Sequence, residues 1–448
     1  MNKPLFVVSC PIDTYSGYGS RSRDLIKALI ELDKYEVKIL PQRWGNTPWN
    51  FIKENFEEWG FLESYILKQP QLPRQPEYWA QITVPNEFQK IGKYNIGITA
   101  GIETTACAGP WIEGCNRMDL VIVSSKHSKD VFENTAYNML NEQKQVVGQL
   151  KCTTPIKVLF EGADTGIYRI LEESQMVPSS IYQDINKIPE KFAYLFVGHW
   201  LQGDMGEDRK NVGLLIKAFY EIFKNKPNPP ALILKTSIAG TSYINRREIM
   251  RRINSIKKTI IADTLPNIYV FSGDVSDEEM NVLYNHPKVK AMISLTKGEG
   301  FGRPLLEFTL TGKPVIAPGW SGQIDFLNPV FSTLIGGELK DIHPSAVVKD
   351  MLIENSKWFT PDLTQVAHHL YNCYANYKEY KKGAKSQQYR SKENFSWNAM
   401  KNELESILNE IPQLEIVQPM QLQLPKLKKV SEQNQELPKL QLPKLKKL

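Results

Sequence analysis

The sequence predicts an α/β protein that consists of two Rossmann-like, doubly wound domains. Three observations support this prediction: a length of 448 residues, an alternation of apolar strand-like runs with amphipathic helices in both halves, and glycine-containing motifs directly after several predicted strands. One hydrophobic core rarely serves a chain of this length, so two domains are expected. Ligands of parallel α/β sheets bind beyond the carboxyl ends of the strands, which is where these motifs lie.

The first half contains one series of strands and helices. Strands are predicted at residues 5–9, 36–40, 95–100, 120–124 and 157–160. A helix follows the first strand, because the apolar residues between positions 25 and 32 recur at helical spacing. We therefore assign residues 1–168 to an N-terminal Rossmann-like domain. Residues 169–190, which mix polar residues with proline, are assigned to a linker.

The second half repeats this pattern. Strands are predicted at residues 192–197, 231–235, 268–271, 291–295 and 314–317. Helices are predicted at 212–223 and after Ser276, where Ser276 and Glu279 have the spacing of a capping box. Residues 191–393 are therefore assigned to a second Rossmann-like domain.

Composition and cysteine content predict a soluble, cytoplasmic protein. Hydrophobic residues make up 42% of the chain and aromatic residues 10%, as is typical of globular proteins. No apolar run approaches the roughly 18 residues of a membrane-spanning helix. The first ten residues predict a strand and are too short for a signal peptide. The five cysteines are odd in number and lack metal-ligand spacing, which favours a reducing compartment.

The segment from Thr296 to Glu307 carries the most specific signal. It places Glu299 and Glu307 eight positions apart around a glycine-rich turn that follows a buried strand. Pro304 suits the first position of a helix, so Glu307 is expected in the first helical turn and Glu299 on the loop. The amides of residues 300–302 at the helix N-terminus form a cradle for an anion. Amides for phosphate and carboxylates for hydroxyls together suit a sugar diphosphate.

This segment resembles the Glu-x7-Glu signature of retaining glycosyltransferases with the GT-B fold, family 4, also called glycosyl transferases group 1. The matching residues are Glu299, Gly300, Phe301, Gly302, Pro304, Glu307, Gly312, Pro314, Val315, Ile316, Ala317, Ser321 and Gly322. An ordinary strand–turn–helix unit explains the glycines and Pro304, but not the two glutamates together with Ser321 and Gly322. The resemblance implies two domains that face each other across a cleft, with the nucleotide sugar on the second domain and the acceptor on the first.

The resemblance extends beyond the signature. Gly17 and Gly19 resemble the N-terminal glycine loop of the family, and Lys210 matches its diphosphate-binding lysine. Residues 394–412 resemble the terminal helix that crosses back to the first domain. By resemblance, the donor-binding residues are Gly17, Gly19, His199, Arg209, Lys210, Gly300, Phe301, Gly302, Leu305, Leu306 and Glu307.

Two positions depart from the family pattern. His199 stands where the family usually has an arginine that meets the donor diphosphate, and a histidine with an ordinary pKa of about 6.5 is mostly neutral at pH 7. Arg209, beside Lys210, can supply the missing fixed charge. The first domain lacks the histidine that many members carry after the fourth strand. Thr99 or Glu103 could face the sugar or the acceptor there; a cap or solvent position for Glu103 is equally open.

The expected reaction is a retaining, metal-independent transfer of a hexosyl or pentosyl group from a nucleotide-diphosphate sugar. The acceptor, a glycan or glycoconjugate, is not identified. No Asp-x-Asp motif lies where a metal would be held, so Lys210, with help from Arg209 and nearby amides, is expected to stabilise the diphosphate. Glu299 is assigned to the sugar hydroxyls and Glu307 to the ribose, which makes Glu299 and Lys210 the catalytic candidates. No metal and no cofactor besides the nucleotide-sugar co-substrate are expected.

Residues 413–448 form a basic tail that repeats Leu-Pro-Lys-Leu and carries seven lysines against three glutamates. Its prolines exclude one continuous helix, and its composition favours disorder. A solvated extension without a ligand is one interpretation. The other interpretations are contact with nucleic acid, with another protein, or with an anionic membrane surface. The last of these would make the protein peripheral to a membrane.

Two further functions stay open at the level of sequence. One is glycosylation of modified bases in nucleic acid, for which the basic tail is the only hint. The other is a catalytically silent GT-B scaffold used for binding. His199 and the missing first-domain histidine are the hints for a scaffold, whereas the intact Glu299, Glu307 and Lys210 argue against it.

Overall fold

The computed structural model describes residues 3–72, 74–238 and 242–414, so the predicted basic tail lies outside the described residues except for its first two positions. The first half contains, in chain order, β1 (Leu5–Cys10), α1 (Gly17–Leu32), β2 (Glu36–Pro41), α2 (Phe51–Glu54), α3 (Phe56–Trp59), a 3-10 helix (Gly60–Tyr65), β3 (Tyr78–Ile82), a 3-10 turn (Pro85–Glu87), β4 (Tyr94–Thr99), α4 (Gly109–Asn116), β5 (Leu120–Val123), α5 (Lys126–Asn134), β6 (Ala136–Leu140), β7 (Val146–Lys151) and β8 (Ile156–Val158).

Six parallel strands form the first sheet in the order β2-β1-β3-β4-β5-β8. Every residue of β1 is buried, as its apolar sequence requires for a strand covered on both faces. The chain runs from β1 to β2 on one side and then crosses to β3 on the other. The switch point between β1 and β3 is where an open α/β sheet leaves a crevice for a ligand.

The second half contains, in chain order, α6 (Glu173–Met176), α7 (Ser180–Asn186), β9 (Ala193–Val197), α8 (Val212–Phe223), β10 (Ala231–Lys235), α9 (Tyr243–Lys257), β11 (Ile268–Phe271), α10 (Asp277–Asn285), β12 (Val289–Ile293), α11 (Arg303–Thr309), β13 (Val315–Pro318), a 3-10 turn (Gly322–Asp325), β14 (Thr333–Ile335), β15 (Gly337–Asp341), a 3-10 turn (Pro344–Ala346), β16 (Lys357–Pro361), α12 (Leu363–Ala375), α13 (Tyr377–Asn394) and α14 (Trp397–Glu410).

The second sheet has six parallel strands in the order β11-β10-β9-β12-β13-β14, so its switch point lies between β9 and β12. Helix α10 begins at the predicted capping box, in which Ser276 and Glu279 cap each other reciprocally. Two doubly wound parallel sheets confirm the predicted fold class. Strands β3 and β14 are the parts of these sheets that the sequence pattern does not predict.

The last helix returns to the first half of the chain. Helix α14 packs against α1, and its apolar side chains, among them Trp397, Met400 and Leu404, join the core of the first sheet. The Trp397 backbone N–H donates to the carbonyl of Ala163 at 2.8 Å. The first core therefore contains side chains from both ends of the described chain.

A second segment also reaches across. Strands β15 and β16 form an antiparallel hairpin, and we call residues 342–356 between them the strap. Directly after the strap, the Lys357 carbonyl accepts from the Thr105 N–H, and the Lys357 N–H donates to Thr105 Oγ1, both at 2.9 Å. Ile353 of the strap packs against the core beside α4. Helix α14 and the strap thus both join the two α/β units.

In the part of the chain that the structure describes, no helix is both long and apolar enough to cross a membrane. The five cysteines are free thiols, and all except Cys152 are buried.

Candidate active site

The carboxyl ends of both sheets face a common cavity of 210 Å³. The first unit contributes Gly17 after β1, Thr99 at the end of β4, and Glu103 in the following loop. The second unit contributes Arg209 after β9 and residues 299–304 after β12. The cavity therefore lies at the switch points of both sheets. Folding brings together candidates that the sequence places in separate segments.

Close backbone packing fixes the loop that carries Glu299. The Glu299 N–H donates to Ser321 Oγ, and the Gly322 N–H donates to the Glu299 carbonyl, both at 2.9 Å. A Cβ atom on Gly322 would lie 2.2 Å from the Gly300 carbonyl oxygen, and one on Gly300 would lie 2.6 Å from the carbonyl oxygen of Ala100 in the first unit. The Ser-Gly pair and the glycine loop thus hold Glu299 in place against the opposite unit.

Glu299 is held by two cations. Lys210 Nζ donates to both Glu299 carboxylate oxygens at 2.6 Å, and Arg209 Nη1 lies 3.5 Å from Glu299 Oε2. Arg209 also donates to the Gly298 carbonyl at 2.8 Å, which fixes the guanidinium against the loop. The predicted catalytic pair, Glu299 and Lys210, is therefore in direct contact in this structure.

Burial and charge act in opposite directions on these groups. Burial favours the neutral form of Glu299, but the positive charges of Lys210 and Arg209 outweigh it, so the Glu299 pKa lies below its ordinary value. Burial lowers the Lys210 pKa, an effect that the Glu299 charge opposes and the Arg209 charge reinforces. The short contact between Lys210 and an ionised Glu299 indicates that both are charged.

A second carboxylate reaches this cluster from the first unit. Glu103 Oε1 lies 3.1 Å from Arg209 Nη1, and the Glu103 side chain is only 23% exposed. Arg209 thus lies between a carboxylate of each unit. The Glu103 carboxylate therefore lies beside Arg209 in the lining of the cavity.

His199 lies near the cluster without adding a fixed charge. Its Nδ1 is 2.7 Å from Ser237 Oγ. Burial lowers the His199 pKa, and the positive charges of Lys210, Arg209 and Lys235 lower it further. His199 is therefore neutral at pH 7 in this arrangement, and the surrounding cations make its neighbourhood attractive to an anion.

Glu307 lies deeper than expected. Helix α11 begins at Arg303, so Pro304 is its second residue, and Glu307 is in the second turn rather than the first. Glu307 Oε1 accepts from Arg303 Nε at 2.9 Å, and Glu307 Oε2 accepts from Tyr284 Oη at 3.2 Å. Burial raises the Glu307 pKa to about 7, although the Arg303 charge opposes this shift.

Arg303 joins the motif helix to the first unit. Its Nη1 donates to Asp24 Oδ2 in α1 at 2.5 Å while its Nε contacts Glu307. All three side chains are at most 15% exposed. Neither Arg303 nor Asp24 is among the residues predicted from sequence. The signal that could have indicated this contact was the position of Asp24 beside the buried apolar stripe of α1.

The remaining donor-side candidates do not all line the cavity. Gly17 and residues 300–302 line the cavity. Gly19 donates its N–H to Ser16 Oγ at 2.9 Å, as part of the cap of α1. Phe301, Leu305 and Leu306 have side chains in the apolar core beneath α11. Phe301 can therefore offer its backbone to a ligand while its ring supports the loop.

Thr99 is positioned by an aromatic side chain. Its Oγ1 is 3.0 Å from Tyr18 Oη, and Tyr18 Oη also accepts from the Ala100 N–H at 3.1 Å. The Tyr18 ring stacks on Trp44, with ring centroids 4.0 Å apart. Tyr18 lines the cavity and was not among the predicted residues, since a tyrosine between two glycines gives no signal of its own.

Several solved structures are similar to this chain in fold. A glycosyltransferase from Rickettsia africae aligns over 92% of this chain and 99% of its own, with 14% identity and a TM-score of 0.61. The HepE protein of Anabaena, in complex with UDP and glucose, aligns over 91% of this chain and 100% of its own, with 14% identity and a TM-score of 0.59. Sucrose-phosphate synthase from Thermosynechococcus elongatus aligns over 91% of this chain and 98% of its own, with 13% identity and a TM-score of 0.57.

The chain has the GT-B fold. No protein-family model matches the sequence, and no curated protein matches it either. In the described part of this GT-B chain, no group of three or more His, Cys, Asp and Glu side chains is arranged to hold a metal ion. At such low identity, the site itself has to indicate the chemistry.

Proposed function

We propose that this GT-B protein is a retaining glycosyltransferase that transfers a sugar from a nucleotide-diphosphate sugar to a hydroxyl acceptor without a metal ion. The observation that carries the proposal is the position of Glu299, which lines the cavity between the two domains and is held by Lys210 at 2.6 Å. A site with paired cations, a carboxylate and the loop residues 300–302 along its cavity suits a ligand that carries both phosphates and hydroxyls.

Donor binding would break the Glu299–Lys210 contact. A diphosphate is a stronger anion than a single carboxylate, so a bound donor competes with Glu299 for Lys210 and Arg209. Once Lys210 contacts the diphosphate, the Glu299 carboxylate is free to accept hydrogen bonds from the sugar hydroxyls. The cations present at the site supply the charge that a metal would otherwise provide, which is why we propose metal independence.

The fold neighbours suggest the first donor to test. HepE of Anabaena has been crystallised with UDP and glucose and with UDP-glucose. UDP-glucose is therefore the first probe for this chain, although the site residues described above do not distinguish one base or sugar from another. We place the diphosphate near Lys210 and residues 300–302, and the ribose near Glu307.

In the proposed reaction, the acceptor oxygen forms a bond to the anomeric carbon as the bond from that carbon to the diphosphate oxygen breaks. The electron pair of the broken bond stays on the diphosphate, and the acceptor proton passes to a diphosphate oxygen. Both events occur on one face of the sugar, so the configuration is retained. Lys210 and Arg209 stabilise the negative charge that builds up on the leaving group. Glu299 binds hydroxyls of a ring that gains positive charge.

The proposal is tested by incubating the full-length protein with UDP-glucose and GDP-mannose. We expect one of the two to raise the melting temperature, because a ligand that binds only the folded state stabilises it. The same donor should release its nucleoside diphosphate slowly in water and faster with an acceptor. Product NMR should show the anomeric configuration of the donor.

Glu299→Gln is the matched control for this experiment, since it keeps the size of the side chain and removes its charge. Donor binding that survives this change together with lost turnover supports the proposal. A protein that binds neither donor, or that yields an inverted product, contradicts it.

A further inference from the structure

A second cavity of 430 Å³ opens beside the donor cavity. It lies between the domains and falls within the size range of small-molecule sites, about 300–1,000 Å³. Trp44 and Trp111 of the first domain contribute to one wall, and Val348, Met351 and Leu352 of the strap contribute to the opposite one. The strap thus covers a space that the two sheets alone would leave open.

The walls of this second cavity are mainly apolar. Trp44 presents an aromatic side chain that is supported by its stack on Tyr18. The charged side chains of its lining are those of Glu103 and Arg209, which contact each other at 3.1 Å. A saccharide needs hydrogen-bond partners around its ring, because a hydroxyl buried without a partner costs free energy. Aromatic and aliphatic walls instead favour a flat, apolar molecule.

The two cavities are adjacent. Tyr18, Ala100, Glu103 and Arg209 line both of them. A molecule in the apolar cavity therefore has its inner end beside the cluster that contains Glu299. Met351 is 46% exposed, which places the strap side of the cavity near solvent. The cavity thus lies between the exposed Met351 and the proposed reaction centre.

We infer that the acceptor is a molecule with a flat, apolar body and a hydroxyl group at one end. Its body occupies the cavity between Trp44 and the strap, and its hydroxyl points toward Glu103. This inference rests on the proposed function and replaces an unspecified acceptor with a chemical class. The hydroxyl oxygen bonds to the anomeric carbon, the bond to the diphosphate breaks with its electrons on the diphosphate, and the hydroxyl proton passes to that leaving group.

The probe for this inference is 4-methylumbelliferone, a flat aromatic alcohol whose fluorescence falls when its hydroxyl is glycosylated. We expect it to bind the wild-type protein in equilibrium dialysis and to accept sugar from UDP-glucose. Methyl α-glucoside, a purely polar acceptor, should accept sugar at least about tenfold less efficiently. Burying its hydroxyls without partners costs free energy, and a cost of about 1.4 kcal/mol corresponds to a factor of ten.

Two exposed methionines allow a matched pair of variants. Met351→Glu places a carboxylate in the apolar wall, whereas Met139→Glu changes a methionine that is 52% exposed on the β6–β7 hairpin and lines neither cavity. We expect Met351→Glu to weaken binding of 4-methylumbelliferone by about tenfold or more, because a charge must be buried against the probe. Met139→Glu should leave binding unchanged and release UDP from UDP-glucose at the wild-type rate.

Three results overturn the inference: no binding of 4-methylumbelliferone to the wild-type protein, equal effects of Met351→Glu and Met139→Glu, or preferred transfer to methyl α-glucoside. Failure of the proposed function would look different. In that case UDP-glucose would neither stabilise the protein nor release UDP, while binding of 4-methylumbelliferone would still respond to Met351→Glu and support an apolar ligand site.

Discussion

Arg303 of the second domain contacts Asp24 of the first, 279 residues earlier in the chain, with 2.5 Å between Nη1 and Oδ2. The same guanidinium donates to Glu307 at 2.9 Å. One side chain therefore links a carboxylate of the Glu-x7-Glu motif to the facing domain. A change in the distance between the domains must alter the environment of Glu307, which connects domain position to the proposed ribose site.

Arg303→Met should destabilise the protein by about 3–5 kcal/mol, because it leaves the buried Asp24 and Glu307 without their cation. Urea unfolding gives this value. Arg251→Met is the matched control: Arg251 pairs with Glu248 on the surface, with 74% of its side chain exposed, and its loss should change stability far less than Arg303→Met does. Adding Asp24→Asn to Arg303→Met should recover part of the loss, and strictly additive effects would argue against a direct coupling.

Stability should depend on pH through Glu307. Its pKa is raised by burial from 4.5 to about 7, so the folded state holds this proton more tightly than the unfolded state. The resulting stabilisation is fully present below about pH 4.5 and is lost as the pH rises through about 7. Glu307→Gln cannot ionise, so its stability relative to wild type should rise between pH 5 and pH 8 by on the order of 2–3 kcal/mol.

Urea titrations at pH 5, 6, 7 and 8 measure this dependence. Glu338→Gln is the control, since the Glu338 side chain is 69% exposed. A stability difference between Glu307→Gln and wild type that stays constant with pH would show that Glu307 titrates alike in the folded and unfolded states.

Lys210→Met should lower kcat/KM for the donor. The loss of transition-state stabilisation should be about 2–4 kcal/mol, the usual cost of removing one electrostatic stabiliser of a transition state. The control is Lys187→Met, which removes a lysine that also pairs with a carboxylate at 2.6 Å but is 74% exposed. Steady-state kinetics with the donor selected by thermal stabilisation provide the comparison. Normal kinetics for Lys210→Met would transfer the role to Arg209.

EDTA should leave the transfer rate unchanged, because Lys210 and Arg209 supply the positive charge at the diphosphate in our proposal. The measurement compares initial rates in EDTA, added in large excess over the protein, with rates in added Mg²⁺ or Mn²⁺. Activity that disappears with EDTA and returns with a divalent cation would refute metal independence.

The two motif glutamates should differ in their kinetics. Glu299→Gln should lower kcat and kcat/KM together, since its contacts with the sugar hydroxyls strengthen as the ring becomes positive. Glu307→Gln should mainly raise KM for the donor, because the ribose is remote from the bonds that change. The opposite pattern would exchange their roles, and no effect from either would contradict the whole assignment.

The alternation of strands and helices was predictable because each buried strand appears as a short apolar run. Strand β3 was not, since Gln81 interrupts its apolar sequence. The structure resolves this conflict by satisfying the buried amide: Gln81 Nε2 donates to the Glu87 carbonyl at 3.0 Å, and Gln81 Oε1 accepts from the Gln89 N–H at 2.9 Å. A polar residue whose side-chain nitrogen and oxygen both have hydrogen-bond partners can thus occupy a central strand.

The candidate site also contains features that were predictable from the sequence and features that were not. The loop from Glu299 to Glu307 was predictable because its residues are neighbours in sequence. The contacts of Glu103 with Arg209 and of Asp24 with Arg303 depend on how the domains pack, and no local pattern encodes them. The contact between Glu299 and Lys210 also required the three-dimensional arrangement, since the sequence suggested a separate ligand group for each side chain.

The return of α14 to the first core has a consequence for the order in which the protein matures on the ribosome. The first sheet is complete once residue 158 has been made, yet its hydrophobic covering includes Trp397, Met400 and Leu404. During translation of the second domain, the apolar surface that α14 will cover therefore stays open, as in other large chains that fold through partly exposed intermediates. Premature termination before residue 397 would leave both domains synthesised. The first domain would then lack the α14 side chains that complete its core.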